Sequence, residues 1–205
     1  MKIQKLVVAT AVMATACFAG EAKVKREPLG VKLRVVNEAE VPADVLRRAI
    51  DTASKILAQA DIEGVWVNCP GEKDSETRVT CNEKLGRADF WLHLVVRKMP
   101  GTDHDTLGSA LVGPLGNSSA YAYYRDIEKF AKNHYRETSS VLAAIITHEV
   151  GHLLLGHRSH SRSGIMSAEL TSRNLDLAGR SHLFFTSDQV RQIQVQVTAI
   201  QAANH

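Results

Sequence analysis

Hydrophobic residues alternate with polar ones in several short stretches of the chain, and this pattern predicts β-strands. The first stretch spans residues 31–36, the second spans 65–67 and leads to Cys69, and the third spans 89–96. Successive side chains of a strand point to opposite faces of a sheet, so each stretch can bury one face and expose the other. A fourth, shorter strand is predicted over 120–125. Together these stretches predict a small sheet.

Three longer stretches have the composition and spacing of helices. One covers about 42–60, and another follows the capping residues 186–189 near the C-terminus. Residues 138–155 are apolar on almost every side, which is typical of a helix at the centre of a core, with Thr138 or Ser139 as its cap. We therefore expect an α+β fold: a small mixed twisted sheet with an N-terminal helix, a central helix and a C-terminal helix.

The remaining segments have no clear period. Residues 100–119 are rich in glycine and are expected to form a solvated loop. The Asp-His-Asp sequence at 103–105 within it offers the alternative of a second metal site or a flexible cleft rim. Residues 126–135 are predicted as a short helix or an extended arm, and the polar segment 167–182 as an irregular rim of the cleft.

The first residues have the pattern of an export signal. Two lysines precede an apolar run that is too short to span a membrane, and a small-x-small site ends at Ala19. We therefore predict that residues 1–19 are a cleaved signal peptide and that the protein is exported, either secreted or periplasmic. Residues 14–17 loosely resemble a lipoprotein signal, so a lipid anchor at Cys17 is an alternative. No other stretch predicts a transmembrane helix.

Removal of this signal changes both the domain count and the charge. Residues 20–30 are a polar lead-in, and residues 31–205 are long enough for a single domain with a substantial core. The whole chain has 25 Lys+Arg and 22 Asp+Glu, and the loss of the two lysines in residues 1–19 leaves 23 against 22. A nearly neutral chain has no electrostatic reason to bind nucleic acid or a membrane surface.

Two cysteines remain once the signal is removed, Cys69 and Cys81. The residues between them are charged and rich in Gly, Ser, Asp and Glu, as expected for a surface loop between two strands. In an oxidising compartment a lone pair of cysteines usually forms a disulfide, which would stabilise this fold by about 3 kcal/mol in the chain-entropy model. Two free thiols are the alternative.

The apolar stretch 138–155 contains the sequence His-Glu-x-x-His. Residues four apart on a helix lie one turn above each other, so His148 and His152 can bind one metal ion while Glu149 lies beside it. Two imidazoles and a carboxylate that accepts a proton from water are what a zinc hydrolase requires. Polar residues in a buried helix cost free energy unless they are satisfied, and a metal satisfies all three. A metal-free helix with hydrogen-bonded histidines is the alternative.

A zinc site also needs a third protein ligand and an open fourth position. Gly156 can adopt a positive φ and end the helix, after which the chain can return towards the metal. His160 has about 13 Å of reach beyond that glycine, whereas His157 follows too soon and points to another side of the helix. We therefore predict His160 as the third ligand and keep His157 and Glu169, the nearest acidic residue, as alternatives.

These residues, followed by Gly-Ile-Met at 164–166, resemble the metzincin zinc metallopeptidases, whose motif is H-E-x-x-H-x-x-G-x-x-H with a later methionine turn. Here the glycine lies one residue later and His160 two residues later, and Arg158 occupies the position of the family's third histidine. The resemblance implies a metzincin-like catalytic domain that binds Zn2+ and has Met166 in its Met-turn. It also implies an edge strand, here 120–125, that binds the substrate by β-augmentation.

The resulting hypothesis is a secreted zinc-dependent endopeptidase that acts on a peptide or protein substrate. Peptide bonds would be hydrolysed by a water molecule that Zn2+ activates, with Glu149 as the general base. The irregular spacing of the third ligand motivates an alternative of another class, a non-catalytic exported binding domain that zinc stabilises.

Overall fold

The structure of the protein is a computed structural model in which residues 29–69, 81, 85–113, 118–156, 158–169, 171–180 and 182–202 are described. The predicted signal peptide, the alternative lipidation site Cys17 and the alternative ligand His157 lie outside these residues. The strands and helices of the described part follow one another as β1 (Leu29–Asn37), α1 (Ala43–Ala58), β2 (Ile62–Cys69), β3 (Asp89–Val95), β4 (Gly108–Leu111), β5 (Ser119–Tyr123), α2 (Tyr124–Asn133), α3 (Thr138–Leu155), α4 (Ser172–Gly179) and α5 (Ser187–Ala202).

These strands form one mixed sheet in the order β2-β1-β3-β5-β4. The pairs β1–β2, β1–β3 and β3–β5 are parallel, whereas β4 is antiparallel to β5 at the edge. Helix α1 connects β1 to β2, since a parallel pair requires a crossover rather than a hairpin. The predicted fold class is confirmed: a mixed twisted sheet with an N-terminal helix, a central helix and a C-terminal helix.

The core lies on the sheet face that carries alternate residues of β1. Val31, Leu33 and Val35 point to this face and are each no more than 1% exposed. Helices α1 and α3 pack against each other on this side of the sheet. Helix α3 is long and apolar enough to cross a membrane by length and composition, but 83% of its apolar stretch is buried inside the protein. That burial is what the all-round apolar pattern predicts for a central helix.

Two segments that the sequence predicts as irregular contain regular structure. Strand β4 lies within 100–119, and it is short, with a glycine and small residues that are poor β-formers, so pairing with β5 rather than local propensity forms it. Helix α4 lies within 167–182, where the Thr171 side chain accepts a hydrogen bond from the backbone N–H of Asn174. The segment 126–135 is helical for most of its length, as part of α2.

The start of the central helix also differs from the prediction. Its N-cap residue is Glu137, and no side chain makes a capping hydrogen bond, so the expected caps Thr138 and Ser139 are wrong. A helix buried on nearly every side is stabilised by its packing, which makes a side-chain cap dispensable.

Cys69 and Cys81 form the predicted disulfide, at the end of β2. Both cysteines are buried, and they pack with Val36 on the sheet face opposite the core helices. The guanidinium group of Arg34 donates a hydrogen bond to the carbonyl oxygen of Cys81 at 2.6 Å and pairs with the carboxylate of Asp89 at 2.9 Å. The disulfide therefore closes the loop and also holds in place the Cys81 carbonyl group that accepts the hydrogen bond from Arg34.

Replacement of both cysteines by alanine should lower the free energy of unfolding by roughly 3 kcal/mol, because the bond closes a loop with a sequence separation of 12. Urea titration with and without a reductant measures this difference. The reductant should shift the midpoint of the wild type and leave that of the double variant unchanged. An unshifted wild type would contradict the prediction.

Candidate metal centre

Three histidine side chains converge at the wall of a cleft. The Nε2 atom of His152 lies 3.1 Å from that of His148 and 3.1 Å from that of His160, and the third side of this triangle, between His160 and His148, is 3.3 Å. Among the described residues, no other group of His, Cys, Asp and Glu side chains converges in this way. The structure thus brings together the three histidines that the sequence analysis selects.

The local structure explains how these rings meet. His148 and His152 lie one turn apart on α3, so their side chains share a face. The helix ends at Gly156, whose φ of 90° lies in the region that favours glycine, and the chain then turns back. A parallel bridge between Ser161 and Ser167 holds the returning segment next to the turn that contains Met166. The side chain of His160 is thereby placed next to the two histidines of the helix.

The hydrogen bonds of the outer ring nitrogens fix the tautomers of two of these histidines. Nδ1 of His148 lies 2.8 Å from the carbonyl oxygen of Ile165, which can only accept, so Nδ1 carries the proton. Nδ1 of His152 lies 2.9 Å from Oγ of Ser159, and that hydroxyl donates its own proton to the carbonyl of Gly156 at 2.7 Å. Nδ1 of His152 must therefore donate as well.

Both Nε2 atoms on the helix consequently carry lone pairs, and they face each other at 3.1 Å. Two lone pairs at this distance repel, whereas a cation between them is attracted by both. Three nitrogens at about 2.05 Å from one zinc ion, at tetrahedral angles, are separated by about 3.3 Å. The triangle formed by His148, His152 and His160 thus fits the three protein corners of a tetrahedral site.

Burial changes the proton affinity of the groups at this site. It lowers the pKa of His148 to about 4, against the hydrogen bond to the Ile165 carbonyl, which raises the pKa, and together with the neighbouring imidazoles, which lower it. This ring is therefore neutral at pH 7. Burial raises the pKa of Glu149 to about 8. Glu149 is only 6% exposed, and a cation bound nearby would favour its ionised form.

Two glycines allow other elements to approach the central helix closely. A Cβ atom at Gly151 would overlap the sulfur atom of Met166, so the absence of a side chain at this position lets the methionine turn approach the helix. Met166 is fully buried there. A Cβ atom at Gly108, in β4, would lie 2.8 Å from Oε1 of Glu149 and 2.7 Å from Cγ2 of Ile145. The edge strand can therefore lie directly against the carboxylate.

The cleft in front of the histidines has a volume of 760 Å³ and is lined on one side by β4. Strand β4 pairs with β5 on one edge, and among the described residues no strand pairs with its other edge. The Tyr123 amide donates to the Leu107 carbonyl at 2.9 Å, so by antiparallel alternation the backbone groups of Gly108 and Ala110 point away from β5. The open edge is therefore β4, and the sequence-based choice of 120–125 is wrong, because β5 lies inside the sheet.

Other residues considered in the sequence analysis lie elsewhere. Glu169 lines the cleft but is not part of the converging group. Asp103 and Asp105 also line the cleft, as a rim, and form no metal-binding group in the described part of the chain.

Sequence reasoning missed three residues that shape this site. Gly108 gave no signal beyond its place in a glycine-rich segment, and the contact with Glu149 exists only in the folded chain. Ser159 lies beside the predicted ligand, but its bond to His152 depends on the return of the chain. Gln189 was recognised only as part of a helix cap, although its side chain also contacts the segment around His160.

Comparison with known proteins shows similarity of the fold alone. No protein-family model matches the chain, and no curated protein matches it. The structure is similar to archaemetzincin from Methanopyrus kandleri, with a TM-score of 0.54 and 17% identity over 85% of this chain and 99% of that chain. It is also similar to metalloproteinase-II from Bacteroides fragilis, with a TM-score of 0.51 and 14% identity over 85% of this chain. The chain spans about half, 53%, of that second protein.

The converging histidines predict that the purified protein binds one equivalent of zinc. Substitution of His160 by alanine should weaken zinc binding by about 100-fold or more, since the loss of an outer partner of a ligand alone costs roughly 10- to 100-fold. Competition with a chromophoric chelator measures the affinity. Glu169→Gln is the matched control and should bind like the wild type. A weakened Glu169→Gln variant beside an unchanged His160→Ala variant would reverse the assignment.

Proposed function

We propose that this protein is a zinc-dependent endopeptidase. The observation that carries the proposal is the convergence of three imidazole nitrogens, from His148, His152 and His160, beside the buried carboxylate of Glu149 at the wall of an open cleft. Histidine ligands with a carboxylate next to them suit the hydrolysis of an amide bond by water. The fold shared with two metallopeptidases supports this choice of reaction.

The roles of the residues follow from their positions. Three neutral imidazoles would bind the ion and leave its full charge in place. Zinc, when bound, supplies a Lewis acid that lowers the pKa of water to about 7 and polarises a carbonyl group. Glu149 would accept the proton of the attacking water and deliver it to the leaving amine. Hydrogen bonds to Ile165 and Ser159 keep the rings of His148 and His152 in the tautomer that offers Nε2.

The substrate would bind as an extended peptide along the open edge of β4. The outward-pointing backbone groups of Gly108 and Ala110 can pair with such a peptide as an added strand. The same strand contacts Glu149, so a peptide bound there runs past the histidines. This arrangement favours peptide or protein substrates.

An extracytoplasmic location completes the proposal. The N-terminal pattern of residues 1–19 is that of a signal peptide, and the protein would be secreted or periplasmic, with a lipid anchor at Cys17 as the alternative form. The Cys69–Cys81 disulfide agrees with an oxidising compartment, where such bonds persist.

Substitution of Glu149 by glutamine should abolish peptide hydrolysis and leave zinc binding intact, because the amide keeps the shape of the side chain but cannot accept the proton. We expect a loss of roughly 100- to 10,000-fold in kcat/KM. Cleavage of a broad peptide library and metal analysis of both proteins measure the two properties. A Gln variant that hydrolyses peptides as fast as the wild type would refute the role of Glu149. A wild type that binds zinc without turnover would favour the non-catalytic binding domain.

Substitution of Gly108 by alanine should lower hydrolysis while zinc stays bound, because the new methyl group would press on Ile145 and on Glu149. Ser109→Ala is the control on the same strand. The Ser109 side chain points to the opposite face and hydrogen-bonds the hydroxyl of Tyr123 at 2.7 Å, so this variant alters β4 without adding a group next to Glu149. Peptide hydrolysis and zinc content are measured side by side for the two variants. Equal activity of the Gly108 and Ser109 variants would contradict a close approach of β4 to the carboxylate.

A further inference from the structure

Gln189 lies in the first turn of α5, and its side chain connects that helix to the segment around the third histidine. Its Oε1 atom accepts a hydrogen bond from the backbone N–H of Thr186 at 3.0 Å. Its Nε2 atom donates to the carbonyl oxygen of Ser159 at 3.0 Å and to the hydroxyl of Ser161 at 3.1 Å. The residue is 7% exposed, so these bonds are shielded from water.

The partners of this amide fix its orientation. The Thr186 N–H can only donate, so it requires the oxygen of the amide, and the Ser159 carbonyl can only accept, so it requires the nitrogen. The backbone N–H of Gln189 in turn donates to Oγ1 of Thr186 at 3.3 Å. These bonds form a capping box, in which a glutamate would serve as well as a glutamine. The two bonds to the serines are additional, and only an amide nitrogen can donate them.

The residues that Gln189 contacts lie on either side of His160. His148 and His152 each have a hydrogen-bond partner for Nδ1 that orients the ring. Within the described residues, Nδ1 of His160 has no such partner, so the backbone on either side must set its position. That backbone is held by Gln189 and by the bond from the Ser161 amide to the Met166 carbonyl, at 2.8 Å.

The contact with Ser159 reaches a second histidine. The backbone carbonyl of Ser159 accepts from Gln189, and its side chain accepts from Nδ1 of His152. A displacement of Ser159 would therefore affect the orientation of His152 as well as the place of His160. The side-chain amide of Gln189 therefore influences the positions of two of the three converging imidazole rings, those of His152 and His160.

We propose that Gln189 is a positioning residue for the metal site, through which the last helix fixes the third histidine. This inference rests on the proposed zinc site. It states that zinc affinity depends on the amide nitrogen of Gln189, which a capping role alone does not require.

The test compares Gln189→Glu with Thr186→Ala. The glutamate keeps an acceptor for the Thr186 amide but removes the two donors and turns an oxygen towards the Ser159 carbonyl. Thr186→Ala weakens the same cap and leaves the contacts with the His160 segment in place. Zinc affinity is measured on the full chain by chelator competition, and thermal unfolding is measured on the zinc-free protein. We expect Gln189→Glu to weaken zinc binding by roughly 10- to 100-fold, and Thr186→Ala to lower the unfolding temperature with little change in zinc affinity.

Cobalt provides an independent readout. The visible spectrum of bound Co2+ reports its coordination geometry, and we expect it to differ between the wild type and Gln189→Glu. Gln189→Met, which has a similar volume and no donor or charge, replaces the glutamate variant if that variant does not fold, with the same expectation. If the Gln189 variants bind zinc within about threefold of the wild-type affinity and the cobalt spectrum is unchanged, the proposal is refuted and Gln189 serves only as a helix cap. A wild type that binds no zinc would instead refute the proposed function itself. Because no step of the test uses activity, a zinc-binding but inactive protein still decides the inference.

Discussion

The structure depends on polar side chains that lie inside an apolar helix. Helix α3 is buried on nearly every side, so a polar group on it that does not face the cleft needs a partner within the protein. The hydroxyl of Thr147 donates to the carbonyl of Ala143, and the outer nitrogens of His148 and His152 donate to the loop that follows the helix. These bonds leave the Nε2 lone pairs directed at one another, which is an arrangement that a cation stabilises.

That constraint determines how the rest of the chain is packed around the helix. The returning segment must supply both the acceptors for the two helix histidines and the third ring, which it does within a few residues around His160. Glycines at 108 and 151 remove the side chains that would keep β4 and the methionine turn away. The cap of the last helix then contacts the returning segment. The histidines are therefore held by the returning segment, by the methionine turn and by the cap of the last helix, whereas β4 lies against Glu149.

The convergence of the two helix histidines can be predicted from local sequence, whereas the edge strand cannot. The spacing of His148 and His152 follows from the period of an α-helix, so a local pattern suffices to predict that they converge. The same holds for the alternation in β1 and β3 and for the apolar character of α3, which agree with the structure. Strand β4 has no such period, because its four residues, three of them small, become a strand only when β5 lies beside them.

The sequence by itself therefore determined the sheet's main strands, the central helix, the disulfide pair and the candidate ligands, because each is encoded by residue type and short-range spacing. It favoured His160 over His157 and Glu169 by ligand type and reach, but only the tertiary structure brought that ring to the helix. The open edge at β4, the contact of Gly108 with Glu149 and the bonds of Gln189 to the segment around His160 were likewise decided by the fold. These features join residues far apart in the chain, and such contacts depend on how whole elements pack rather than on any local periodicity.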